Sequence, residues 1–198
     1  MQTPGHIIIN VAVLGTFMGP AESLIVGALL PDVPIMVLYL YHRLVKHTPE
    51  DIIWSVYYQK PLWLGLVHGA HSIPLALIGM ALSAGLGSPV GLAFFASILS
   101  HALCDLPVHA LDAHRHFLPF SQYRYLSPFS YWDVRYHAPW VALFEVVLVM
   151  VCSGLVALRG VELPTLALLL LVNGAYVVHY VRTFLAQRVE SHTPAGEG

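Results

Sequence analysis

Apolar runs of near membrane-spanning length follow one another along this chain, and they leave few folds open to it. A bilayer core cannot satisfy loose backbone groups, so apolar spans of this length must close their hydrogen bonds internally. The expectation is an all-α fold: an integral membrane helical bundle of about six helices, the first one short. The 198 residues are 57% hydrophobic and only 10% charged, where a soluble domain carries about a quarter charged residues. A net charge of −2 offers no basic surface of the kind that binds nucleic acid, so no such partner is expected. Cys104 and Cys152 both lie in apolar runs and read as small apolar fillers, not as a disulfide framework.

The predicted helices cover residues 6–18, 22–41, 62–84, 90–106, 139–158 and 164–185, within a single transmembrane domain over residues 1–189. Gly19-Pro20 ends the first. Pro31-Asp32-Val33-Pro34 interrupts the second, and two prolines so close free backbone carbonyls, which suits a cavity better than plain lipid contact. A polar linker is expected at 42–60, an aromatic and histidine-rich site loop at 107–137, and a disordered tail at 190–198. Residues Met1 to His6 lack the cationic start of a secretory signal and are read as structure. No internal repeat is visible, which disfavours an inverted-repeat transporter.

Charge orients this scheme. Arg43, Lys46, Lys60, Arg115, Arg124, Arg135, Arg182 and Arg188 fall on one side, and only Arg159 on the other. The positive-inside rule then places both termini and the long loops in the cytoplasm, in the cell inner membrane. His6, Asp32, His68, His101, Asp105, Glu145 and His179 all fall in the cytoplasmic half by helical rise.

Ionisable groups inside apolar spans are costly and normally face a protein interior where they carry function. Asp32, His68, His71, His101 and Asp105 are such groups. His68 and His71 share a helix face at i, i+3, and His101 and Asp105 share one at i, i+4. Imidazole with carboxylate suits a divalent metal, Zn²⁺ first and Mn²⁺ or Fe²⁺ as alternatives. The stretch from His101 through Asp105, His109, Asp112, His114 and Arg115 to His116 is the strongest. Pro107 can open a new turn that keeps His109 near Asp105 or re-aims it outward. The competing reading makes these histidines solvated or capping groups of an interfacial loop. Asp32 reads as a ligand or as a cap of the helix segment after it. Glu145 reads as a base or as a structural salt bridge. The aromatic loop from Phe117 to His137 anchors at headgroups or holds an anionic headgroup through Arg115, Arg124 or Arg135.

The order of His6, then Gly27 to Asp32 (Gly-Ala-Leu-Leu-Pro-Asp), then His71-Ser72, then His101 and Asp105 four residues apart, then Phe117 to Ser121 resembles the bacterial YdjM-like membrane-bound metal-dependent hydrolases. The likeness covers roughly residues 1–121, and Glu145 loosely matches a later glutamate. The chain departs from that pattern at Pro34, where the family has a second acid, in its shortened His68-Gly-Ala-His-Ser72 run, and in lacking a Thr-Pro-x-Gly after Asp105. The stretch 101–116 with 127–133 is more similar to a group of uncharacterised bacterial membrane proteins. The resemblance implies that His6, Asp32, His71, His101 and Asp105 ligate metal and that an ester or phosphoester is hydrolysed.

The functional expectation is a divalent-metal-dependent hydrolase acting through a metal-activated water on a small-molecule or lipid-like substrate in the cytoplasmic leaflet. His6, Asp32, His71, His101, Asp105 and His109 form the expected metal set. Asp112 or Glu145 would serve as general base, and Arg115 and His116 would contact substrate. A di-iron membrane oxidoreductase of desaturase type, or a metal or proton carrier, would draw on the same residues.

Overall fold

The computed structural model describes residues 1–186, and the tail expected at 190–198 lies outside the described residues. Helices are the only regular elements among those residues, with no strand, and a long irregular loop covers 109–133. Seven helices carry the architecture: α1 (Thr3–Leu14), α2 (Ala21–Val45), α3 (Pro61–Ala70), α4 (Ile73–Gly85), α5 (Pro89–Val108), α6 (Ala138–Ala157) and α7 (Leu163–Leu185). All but α2 carry a proline in the first turn. There its missing N–H costs nothing and its φ is already helical.

Four of them, α2, α5, α6 and α7, are long and apolar enough to cross a membrane, and α3 with α4 makes a fifth if the bent pair counts as one span. The first helix has 12 residues, about 18 Å at 1.5 Å per residue, so the short first element is present but falls short of a span. It ends at Leu14, four residues before the expected end, because the chain turns from Gly15 onward. At Gly19 φ is +39°, and an added Cβ would stand 2.8 Å from the Cβ of Ala93. Only glycine fits that turn against α5.

The structure refines the sequence reading further along the chain. The prolines at 31 and 34 interrupt the second helix only locally, without ending the span. It tightens into a 3₁₀ turn at Leu30–Asp32, where Val33 N–H donates to the Leu30 carbonyl that Pro34 cannot reach, and then continues through a π turn to Val45. The linker after it also holds helical turns, Glu50–Ile52 and Ile53–Tyr57. Conversely, the third expected helix is broken, with α3 and α4 meeting at 50°. Pro74 cannot donate to the helix, and Ser72 Oγ takes over as a cap by accepting from Leu75 N–H at 3.2 Å.

Packing places α5 at the centre, against α1, α2 and α4, while α1 also packs on α2 and α6, and α6 on α7. Ile8, Ile9 and Ala12 of α1 join Val146, Val149 and Cys152 of α6 and Leu169 and Tyr176 of α7 in one apolar cluster. A buried polar clasp fixes α1 to α5: Asn10 Nδ2 donates to Ser97 O and Oγ at 2.9 and 2.7 Å, and Ser100 Oγ donates to Asn10 Oδ1 at 2.7 Å. At the other end Arg159 donates to the carbonyls of Val11 and Ala12, closing the C-terminus of α1. The outward faces are apolar, most of all on α7, where Leu168, Leu170 and Leu171 are 60–70% exposed. A continuous face of this kind marks an apolar surrounding or a partner.

Candidate metal centre

Four elements deliver side chains to one point: the first turns of α1, the 3₁₀ turn of α2, the break between α3 and α4, and the C-terminal end of α5. His6, His71 and His101 are completely buried and Asp105 nearly so. Asp32 is partly buried.

Each of the two central imidazoles is oriented by its own Nδ1. His101 Nδ1 donates to the carbonyl of Ala28 at 2.7 Å, just before the 3₁₀ turn, and His71 Nδ1 donates to the carbonyl of Val67 at 2.8 Å. A neutral ring held this way presents Nε2 as a lone pair, the tautomer a metal needs. Those Nε2 atoms are buried and have no hydrogen-bond partner. They face two carboxylates: His71 Nε2 lies 3.7 Å from Asp32 Oδ1 and 3.5 Å from Asp105 Oδ2, and His101 Nε2 lies 3.6 and 3.3 Å from the same two oxygens.

Bonds of about 2.0–2.2 Å at tetrahedral angles set nitrogen and oxygen ligands about 3.3–3.5 Å apart. The four edges, 3.3–3.7 Å, lie at or just above that spacing. Three overlapping groups bring their donor atoms close enough to hold a metal ion: Asp32 with His71 and His101, His6 with His101 and Asp105, and His71 with Asp105 and His114.

No family model, curated protein or solved structure matches the chain.

Around this core the remaining groups steer Asp105. His6 stacks on His101 with ring centroids 3.6 Å apart, and its Nε2 lies at hydrogen-bond distance, 3.0 Å, from Asp105 Oδ1. The Met1 amine donates to the same oxygen at 2.8 Å, and His109 Nε2 stands 3.5 Å from it. His109 Nδ1 is hydrogen-bonded to Asp112 Oδ2 at 2.6 Å, so Asp112 reaches the centre only through that ring. Burial pulls the His109 ring down, but its bonds to Asp105 and Asp112 outweigh this and hold its pKa above the ordinary value. Burial pushes Asp112 up, but the bond from His109 leaves its carboxyl below the usual range.

The loop after α5 is tied back over the break in α3–α4. His116 Nδ1 donates to the His71 carbonyl at 3.1 Å, the His116 carbonyl accepts from Ile73 N–H at 2.9 Å, and Ser72 Oγ donates to the Leu118 carbonyl. Burial pushes His116 down to about 4 and His114 well below its ordinary value. Both rings are therefore neutral near pH 7, with His114 Nδ1 and His116 Nε2 buried and unpartnered.

Of the residues singled out from sequence, His6, Asp32, His71, His101, Asp105 and His109 come together. Glu145 stands apart on α6, behind the N-terminal turn. Its Oε1 accepts from Gln2 N–H and Tyr176 Oη–H at 2.9 Å each, while Oε2 is buried without a partner. Arg115 turns outward to Gln122 Oε1 at 2.7 Å. His114 was not among the expected ligands, and its ring lies 4.1 Å from that of His71. No helical spacing marks it, because it comes from irregular chain.

Proposed function

We propose that this is a multi-pass membrane protein whose Asp32–His71–His101–Asp105 centre binds a divalent cation, Zn²⁺ by donor set and spacing, and hydrolyses an ester or phosphoester. The observation that carries it is the set of four imidazole–carboxylate edges at 3.3–3.7 Å, with both imidazole nitrogens buried and unpartnered. A carboxylate oxygen facing an imidazole lone pair is repulsive unless a proton or a cation lies between them. Mixed nitrogen and oxygen ligands favour Zn²⁺, Mn²⁺ or Fe²⁺ over Mg²⁺ or Ca²⁺.

A bound ion supplies a water of lowered pKa and polarises the scissile carbonyl or phosphoryl oxygen. The chain's own residues do the rest. Asp105 is held by His6 and by the Met1 amine on Oδ1, which leaves Oδ2 for the centre. Asp112 fixes the His109 ring with Nε2 turned inward, where it can take a proton from water and return it to the leaving group. Glu145, with one free oxygen, is a second proton acceptor at the edge of the site. Arg115 and His116 lie on the loop side, where an anionic headgroup would approach. The likeness to the YdjM-like membrane hydrolases agrees with this assignment. The charge bias adds that both termini face the cytoplasm of an inner membrane; a reporter fused to the C-terminus reading outside would reverse that topology.

The test is elemental analysis of protein purified in mild detergent, with chromogenic phosphate and carboxylate esters assayed on the same sample. Stoichiometric zinc or manganese that drops at least about tenfold in His101→Ala and in Asp105→Ala is the expected result. Metal content unchanged in the double variant rejects the centre.

A further inference from the structure

Beside the metal centre, a cleft of about 270 Å³ opens between α5 and α6. The two helices make no extended contact with each other, because the N-terminal turn is wedged between them. That turn is bonded to both, through the Met1 amine on Asp105 and Gln2 N–H on Glu145. The walls of the cleft are carbon: Leu103 and Pro107 from α5, Val141 and Phe144 from α6. Its outer rim faces away from the bundle, with Leu103 51% and Phe144 66% exposed. Its inner end is Met1 and Glu145, and Met1 touches Asp105.

We propose that this cleft receives one alkyl chain of a membrane amphiphile, entering sideways from the hydrocarbon, with its polar end at Asp105 and its methyl end outward. Three features select that occupant. An apolar slot in a spanning pair of helices, open on the flank, is filled by the surrounding hydrocarbon, since nothing drives water into it. The slot is small, about 270 Å³ between residues 103–108 of α5 and 141–148 of α6, so it takes one chain and not two. Met1 and Glu145, at the inner end, are the only lining residues that carry a charged group, so an amphiphile has one favourable direction. The inference deepens the hydrolase reading and rests on it for what happens at the polar end. The substrate class becomes long-chain esters or phosphoesters presented from within the leaflet, not soluble ones.

Two long-chain alkyl phosphonates decide it, one with a photoactivatable diazirine beside the head and one with the diazirine at the chain end. Each is incorporated with the full-length protein in phospholipid nanodiscs and mapped by mass spectrometry. The head-proximal probe is expected on Met1, Cys104 or Glu145, above the level seen on the exposed leucines 168, 170 and 171 of α7. The chain-end probe is expected on Leu103 and Phe144. Leu103→Trp with Val141→Trp fills the slot and is expected to bring labelling of Glu145 down to that of α7, with metal content retained. Labelling of the inner residues no higher than α7, or the chain-end probe on Glu145, overturns the proposal. Metal measured on the same samples separates the two readings. Loaded protein without inner labelling defeats the cleft alone, and metal-free protein labelled at Glu145 defeats the hydrolase alone.

Discussion

Nε2 of His101 stands 3.3 Å from Oδ2 of Asp105, four residues further along the same helix, while Nδ1 of that ring is committed to the carbonyl of Ala28. One helix thus supplies an imidazole and a carboxylate to one point, and a neighbouring helix chooses the tautomer. His101→Asn or His101→Gln keeps a polar group but loses that orientation. Each is expected to lower zinc affinity by at least about tenfold, read by competition with a fluorescent chelator.

Asp112 acts on the centre only through His109. Asp112→Asn keeps the hydrogen bond but removes the charge, and changes of this kind to the partner of a histidine at a metal site cost about 10–100-fold in affinity or activity. The expected signature is a loss in rate with the protein still folded and still holding its metal at saturating zinc. A variant as active as the parent would remove His109 from the proton path.

The same pair sets a pH dependence. Folding raises the pKa of His109, so its contribution to stability is full below the unfolded value of about 6.5 and fades as pH rises through the folded value. A cation bound beside Asp105 disfavours the charged ring, so metal binding runs the other way. Thermal unfolding with a chelator is expected to show stability falling above about pH 6.5, and unfolding with zinc to show it rising. His109→Ala should flatten both trends.

Gly27 lets α2 and α5 touch. An added Cβ there would lie 2.4 Å from the Phe94 carbonyl oxygen and 2.8 Å from Ser97 Cβ, both on the facing helix, whereas one at Gly154 or Gly174 would meet nothing within 4 Å. Backbone cannot yield as a flexible side chain can. Gly27→Ala is expected to destabilise by about 1–3 kcal/mol and, by moving Asp32 away from His101, to weaken metal binding. Gly154→Ala should leave both unchanged, as measured by unfolding temperature and metal content.

Ser72 holds the break in α3–α4 by accepting from Leu75 N–H and donating to the Leu118 carbonyl. Ser72→Ala removes a cap and a buried donor, with an expected cost of about 1–2 kcal/mol. Because that break carries His71, the variant should also lose metal more readily to a chelator, which Ser88→Ala, capping the far end at α5, should not.

Much of the architecture could be read along the chain. Helices announced themselves by apolar length and by prolines at their starts, and the i, i+4 step of His101 and Asp105 depends on nothing but helical geometry. An ionisable residue in an apolar run already demands a polar companion, so Asp32, His71, His101 and Asp105 were conspicuous one by one. What no local pattern contains is which of them meet. That His71 sits at a bend of 50° rather than within a straight helix, that Asp112 works through His109, and that His114 comes off an irregular loop to lie on His71 all depend on contacts between residues far apart in sequence. Local propensity and hydropathy act over a few neighbouring residues. The tautomer of a buried imidazole, by contrast, is decided by whichever distant carbonyl the packed helices bring to its other nitrogen.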